Sequence, residues 1–133
     1  PNGEGGSRAI AKALRSAGLS KTDIGHINAH ATSTPVGDLA ESKTIRRAIG
    51  DHPVVTATKS MTGHMLGASG ALEAIATVLS VRDGIVPGTR NIVNLDPAIE
   101  IDVATENRKV DLEAAVNDSF GFGGHNVALV FTK

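Results

Sequence analysis

Helical and extended stretches alternate along most of this chain, and that alternation limits the fold more than any other feature. Ala9, Ile10, Ala13, Leu14 and Ala17 recur at helical spacing, and Gly18 stands where a helix stop is expected. Residues 24–29 read as a short strand. Asp38 and Glu41 make an Asp-x-x-Glu start like a capping box, Leu39, Ile45, Ala48 and Ile49 give that helix an apolar face, and Gly50 ends it. Residues 53–57, rich in Val and Thr, predict a second buried strand. Leu72, Ile75, Ala76 and Leu79 set a third helix, with Arg82 in its last turn and Gly84 beyond. The period then changes to two at Ile99, Ile101 and Val103, and extended runs follow at 116–119 and 127–131. The expected order is α-β-α-β-α-β-β-β, an α/β layered chain with a parallel central sheet and helices on both faces.

At 133 residues the chain has the size of one domain, 1–133, with a single core. Thirteen Lys and Arg against fourteen Asp and Glu leave a formal charge of -1, so no nucleic-acid partner is expected. With 41% hydrophobic and 20% charged residues it is neither disordered nor membrane-embedded, and no apolar stretch approaches the ~20 residues of a membrane span. Three Phe with no Trp or Tyr leave no aromatic cage or base-stacking platform. The absence of Cys removes disulfides, thiolate metal sites and a cysteine nucleophile together. The sequence opens on Pro1 with no charged segment before an apolar one, so a piece of a longer chain in a cytoplasmic setting is the expectation.

In parallel sheets chemistry collects at the carboxyl ends of strands, which singles out three loops, 30–37, 59–70 and 118–126. The first, Asn28-Ala29-His30-Ala31-Thr32-Ser33-Thr34-Pro35, reads either as a histidine and three hydroxyls facing a ligand or as capping hydroxyls beside a satisfied core histidine. His26 and His30, four apart on a strand, sit ~13 Å apart and cannot share a metal ion. In the second, His64 falls near a helix N-terminus, where the dipole disfavours imidazolium and suits a neutral donor to a carbonyl. Its other reading is a glycine-rich turn with an incidental histidine; no Walker pattern is present. The third, Ser119-Phe120-Gly121-Phe122-Gly123-Gly124-His125-Asn126, is a hinged aromatic gate or a hairpin anchored by two core Phe. Its glycines precede a strand, which fails the context of a dinucleotide site. Glu41 and Glu73 each lie among small or apolar neighbours and need a partner if buried; Lys59 is a candidate for either. Lys43, Arg46 and Arg47 read as a solvated helix face or a docking patch.

Three stretches in this order, 28–38, 58–64 and 117–124, resemble the β-ketoacyl-acyl-carrier-protein synthases of the elongating type, condensing enzymes of the thiolase superfamily. The resemblance runs from about residue 9 to 133 and covers the C-terminal half of that family's chain; the N-terminal half, which carries the family's nucleophilic Cys, is not in this sequence. It implies a thiolase-like half-domain, a mixed, mostly parallel five-stranded sheet with helices on both faces. The implied reaction is an acyl transfer, the decarboxylative Claisen condensation of malonyl-carrier protein with an acyl-enzyme in fatty-acid chain elongation.

Residue by residue, His30 and His64 correspond to the two histidines that hydrogen-bond the malonyl thioester carbonyl. Lys59 corresponds to the lysine beside them, and Glu41 to the acid that pairs with it. Phe122 corresponds to the residue whose backbone N–H completes an oxyanion hole and whose ring gates the substrates. Thr32 and Thr34 correspond to hydroxyls that hold a phosphopantetheine arm, and Phe120 is counted with them as substrate-binding. No tightly bound cofactor is implied, since the arm arrives on the acyl carrier protein; Asn28, Glu73, Asn117 and Asp118 correspond to the lining of a monovalent-cation site. The implied partners are that carrier protein, malonyl and acyl thioesters, the chain's own N-terminal half, and a second copy in a homodimer. Ala31 stands where Gly is frequent, His125 where Thr is common, and Asn117-Asp118 where Ser-Asn is common. Two other readings remain, a non-catalytic partner subunit of the chain-length-factor kind and a ketosynthase domain of a polyketide synthase. The intact His30 and His64 favour the enzyme, although a chain without the Cys is expected to be inactive alone.

Overall fold

A computed structural model describes residues 3–133; Pro1 and Asn2, at the head of the 1–133 unit, lie outside the described residues. In chain order the elements are α1 (Glu4–Ala17), β1 (Ile24–Asn28), α2 (Pro35–Ala48), β2 (Val54–Thr56), α3 (Lys59–Thr62), α4 (Ser69–Asp83), β3 (Ile85–Val86), β4 (Asp102–Val103), β5 (Arg108–Lys109), β6 (Ala114–Phe120) and β7 (Asn126–Thr132). The central sheet runs β4-β2-β1-β6-β7. Its first four strands are parallel, and β7 closes the edge antiparallel to β6. This is the mixed, mostly parallel five-stranded α/β sheet that was expected.

α1 buries Gly6, Ile10 and Leu14 at four-residue spacing and ends at Gly18, whose left-handed φ of 68° lets its N–H close on the last carbonyls. The Ile10 and Leu14 side chains meet Ile27, Ala29, Ile45, Ile49, Val55 and Val116 in an apolar core between the sheet and the α1–α2 layer. Gly6 marks a close approach: a Cβ there would stand 2.9 Å from the Phe120 ring. β6 alternates as a strand must, so Val116, Asp118 and Phe120 face α1 and α2, while Asn117 and Ser119 face α4.

Under α4 the packing is polar. Asn28, Thr56, Thr58, Glu73 and Thr77 are all buried there. Asn28 Nδ2 donates to the Glu73 carbonyl at 3.2 Å, Thr77 Oγ1 donates to the same carbonyl at 2.7 Å, and Thr58 Oγ1 donates to Asn28 Oδ1 at 2.9 Å. Apart from the buried Val81, the large apolar residues Ile75, Val78 and Leu79 of α4 point the other way, 59%, 45% and 41% exposed.

Several expected boundaries move. The second helix begins at Pro35 with Thr34 at its N-cap position, not at Asp38, because proline's fixed φ suits the first helical turn. Asp38 accepts the Ser33 N–H at 3.2 Å, and Glu41 reaches past the helix end altogether. The 59–70 stretch is not one loop but holds α3 and a 3₁₀ turn, Leu66–Ala68. The alternating Ile99, Ile101 and Val103 yield only the two-residue β4, and β3 pairs with β5 in a separate antiparallel ribbon. Among the described residues no helix is long and apolar enough to cross a membrane.

Candidate active site

The carboxyl ends of β1, β2 and β6 bring the three loops together. β1 delivers His30, which leaves the strand through Ala31 at φ 32° and Ser33 at φ 67°. Left-handed backbone at two non-glycine residues is strained and persists only when surroundings hold it. Here Glu41 and Asp118 hold it. The His30 N–H is shared between Glu41 Oε1 at 2.7 Å and Asp118 Oδ1 at 2.9 Å, and the Ala31 N–H donates to Glu41 Oε2 at 2.7 Å. The two carboxyl groups thus converge on one backbone N–H, and the second Asp118 oxygen, Oδ2, is buried with no hydrogen-bond partner. Burial, then the Asp118 charge, raise Glu41 well above its ordinary range; burial pushes Asp118 up to about 6.

Glu41 therefore does not pair with Lys59. The lysine, itself buried, forms its ion pair with Glu73, Nζ to Oε1 at 2.5 Å. Lys59 stands at the start of α3 and Glu73 one turn into α4, whereas Glu41 is drawn to the backbone at the end of β1. Burial raises Glu73, against the hydrogen bond and charge of Lys59.

Lys59 Nζ also lies 3.3 Å from His30 Nδ1. An ammonium group only donates, so His30 Nδ1 accepts and the ring proton is assigned to Nε2. His64 is held in the same sense. The Leu66 N–H donates to its Nδ1 at 3.2 Å, and Ser69 Oγ lies 2.9 Å from that atom. Both rings thus keep Nε2–H for a ligand. They meet edge-on with centroids 5.7 Å apart, and the Phe120 ring sits 6.0 Å from His30. Burial, then Lys59 and His64, lower His30 to about 4, so the ring is neutral at pH 7.

A cavity of about 1210 Å³ is lined by His30, His64, Thr32, Thr34, Phe120 and Phe122, among others. The Thr32 and Thr34 hydroxyls in that lining are 3.3 Å apart. Phe122 is fully exposed on a turn whose two following glycines have φ of 72° and 81°, so it does not anchor a hairpin core; Phe120 is half-buried.

Of the four residues matched to a cation lining, Asn28, Glu73 and Asn117 meet on the α4 face, and Asp118 lies on the opposite face of β6. Asn28 and Asn117 lie side by side in register on the α4 face, whereas Asp118 turns to Glu41 on α2. Asn28 Oδ1 is taken by Thr58, and Asn117 Nδ2 donates to the Asn28 carbonyl at 3.3 Å. Among the described residues no three His, Asp or Glu side chains are placed to hold a metal ion. The convergence of Asp118 and Glu41 on the His30 N–H, and the Ser69 hydroxyl at His64, were invisible to spacing arguments, since they join residues across a loop or across the sheet. Glu73 did carry a trace, an acid alone in an apolar stretch of helix.

An α/β layer with a polar-floored helix, and two edge-packed histidines at the strand ends, defines a thiolase-like ketosynthase fold. It superposes on a beta-ketoacyl synthase from Burkholderia phymatum with a TM-score of 0.95 at 38% identity, covering 100% of this chain and 33% of that one. A structure described as the ishigamide ketosynthase/chain length factor also gives 0.95 at 38% identity, over 100% of this chain and 34% of that chain. The 3-oxoacyl-[acyl-carrier-protein] synthase 2 of Mycobacterium leprae is 57% identical over 133 residues, 98% of this chain and 32% of its own length. Its namesake in Synechocystis is 47% identical over 137 residues, 100% of this chain and 33% of its own. A family profile described as beta-ketoacyl synthase, C-terminal domain, matches residues 1–93, and the chain belongs to that family. It spans about a third of the length of the curated relatives it matches.

Proposed function

We propose that this chain is the C-terminal part of a β-ketoacyl-acyl-carrier-protein synthase and supplies the decarboxylation half of its site. The observation that carries this reading is the matched pair of rings, each with Nδ1 engaged by a donor and Nε2–H left for one ligand oxygen. A malonyl thioester carbonyl is such an oxygen. As the carboxylate leaves as carbon dioxide, its bonding electrons become the enolate, and negative charge grows on that carbonyl oxygen. Two preorganised donors are strongest where charge develops. The enolate carbon then attacks the acyl thioester held on the Cys of the upstream part, the new carbon–carbon bond forms, and the Cys thiolate departs.

In this reading Lys59 holds His30 through Nδ1, Glu73 holds Lys59, and Glu41 with Asp118 fixes the His30 backbone. Thr32 and Thr34 take the phosphopantetheine arm of the acyl carrier protein, Phe120 packs beside His30, and the exposed Phe122 gates entry while its backbone N–H serves the acyl oxyanion. The full protein is read as a cytoplasmic homodimer. The relatives' name, 3-oxoacyl-[acyl-carrier-protein] synthase 2, supports fatty-acid elongation over polyketide assembly. A non-catalytic partner subunit has no need of two tautomer-locked histidines.

The test is step-resolved kinetics in the full-length parent. His30→Ala or His64→Ala should lower carbon dioxide release from malonyl-carrier protein by about 10²–10³ while acylation of the Cys persists. Equal loss of both steps would overturn this division of roles.

A further inference from the structure

We propose that Ser69 is a positioning residue for His64, locking its ring and its proton. The proposal rests on the condensing role argued above and adds a residue to it. Ser69 opens α4, but its hydroxyl makes no helix cap. Instead Ser69 Oγ accepts the Met65 N–H at 2.8 Å and lies 2.9 Å from His64 Nδ1. A serine hydroxyl has one proton. The Met65 N–H takes an oxygen lone pair, and the Leu66 N–H marks Nδ1 as the unprotonated ring nitrogen, so the hydroxyl proton turns to Nδ1 and shares its one lone pair at the shorter distance.

The surroundings show why this bond matters. Residues 61–68 are all exposed, and Leu66 carries a left-handed φ of 52°. A loop of that kind has little packing to fix a ring. Ser69 is 4% exposed and belongs to the first turn of a 15-residue helix, so it ties the ring to a rigid element. Without it, one hydrogen bond of 3.2 Å, from within the loop itself, is left at Nδ1. Rotation of the ring would then withdraw Nε2–H from the malonyl oxygen, whereas the first acylation never uses that donor.

The experiment compares wild type, Ser69→Ala, Ser69→Thr and His64→Ala in the full-length parent, following carbon dioxide release from malonyl-carrier protein and acyl transfer to the Cys separately. Loss of one neutral hydrogen bond should slow decarboxylation by about five- to tenfold in Ser69→Ala, in kcat with KM unchanged. Acylation should be untouched, and Ser69→Thr, which keeps the hydroxyl, should restore the rate. Unchanged decarboxylation in Ser69→Ala beside an inactive His64→Ala overturns the positioning role alone. Equal slowing of both steps also overturns it, because that is the mark of general structural damage. Full decarboxylation by His64→Ala sinks the underlying reading, and this inference with it.

Discussion

Asp118 shows what a single buried carboxyl does to this site. It stands in β6, fully buried, and its pKa of about 6 lies above the ordinary 3.8. The folded chain therefore binds this proton more tightly than the unfolded chain does. The stability gained is present at low pH and is lost as pH rises from about 4 through 6. Above that window the ionised, buried group disfavours folding. His26 and His30, both lowered to about 4 by burial first, act in the opposite sense: the unfolded chain takes their protons, so stability falls as pH drops from 6.5 towards 4. Asp118→Asn keeps an oxygen for the His30 N–H and removes the charge. Its melting temperature should exceed wild type clearly at pH 8 and by much less at pH 5. An equal gain at both values would contradict this account of the residue.

At the level of the element, α4 largely inverts the usual rule for a surface helix: Glu73, Thr77 and Ser80 are buried beside the single apolar Val81, while Ile75, Val78 and Leu79 face outward. Val127 and Leu129 on the edge strand β7 are also exposed large apolar residues. Such apolar surface marks a face meant to be covered. The isolated chain should self-associate, and Ile75→Lys with Val78→Glu should shift it towards monomer in sedimentation velocity while changing stability by less than about 1 kcal/mol. A wild-type chain that stays monomeric at high concentration would refute the covered-face argument. The same helix explains a limit of sequence reading. Its periodicity was plain from Leu72, Ile75, Ala76 and Leu79, yet periodicity reports which residues share a face and not which face is inside.

Across the whole molecule, the order of helices and strands was legible because core residues such as Ile10, Leu14, Ile27 and Val116 repeat with the period of their element. Short pairings were not: β3, β4 and β5 have two residues each, too few for any period. The histidines and hydroxyl loops were legible as motifs. Which acid meets Lys59 was not, since that depends on α2 starting at Pro35 and sending Glu41 back to the strand end. The His30 backbone is clamped by one carboxylate 11 residues away and another 88 residues away. That separation has a consequence in time. At roughly 5–20 residues per second of synthesis, Asp118 follows His30 off the ribosome by roughly 4–18 s. For that interval the strained turn through Ala31 has only half its clamp, and a chain cut short of β6 never acquires the other half.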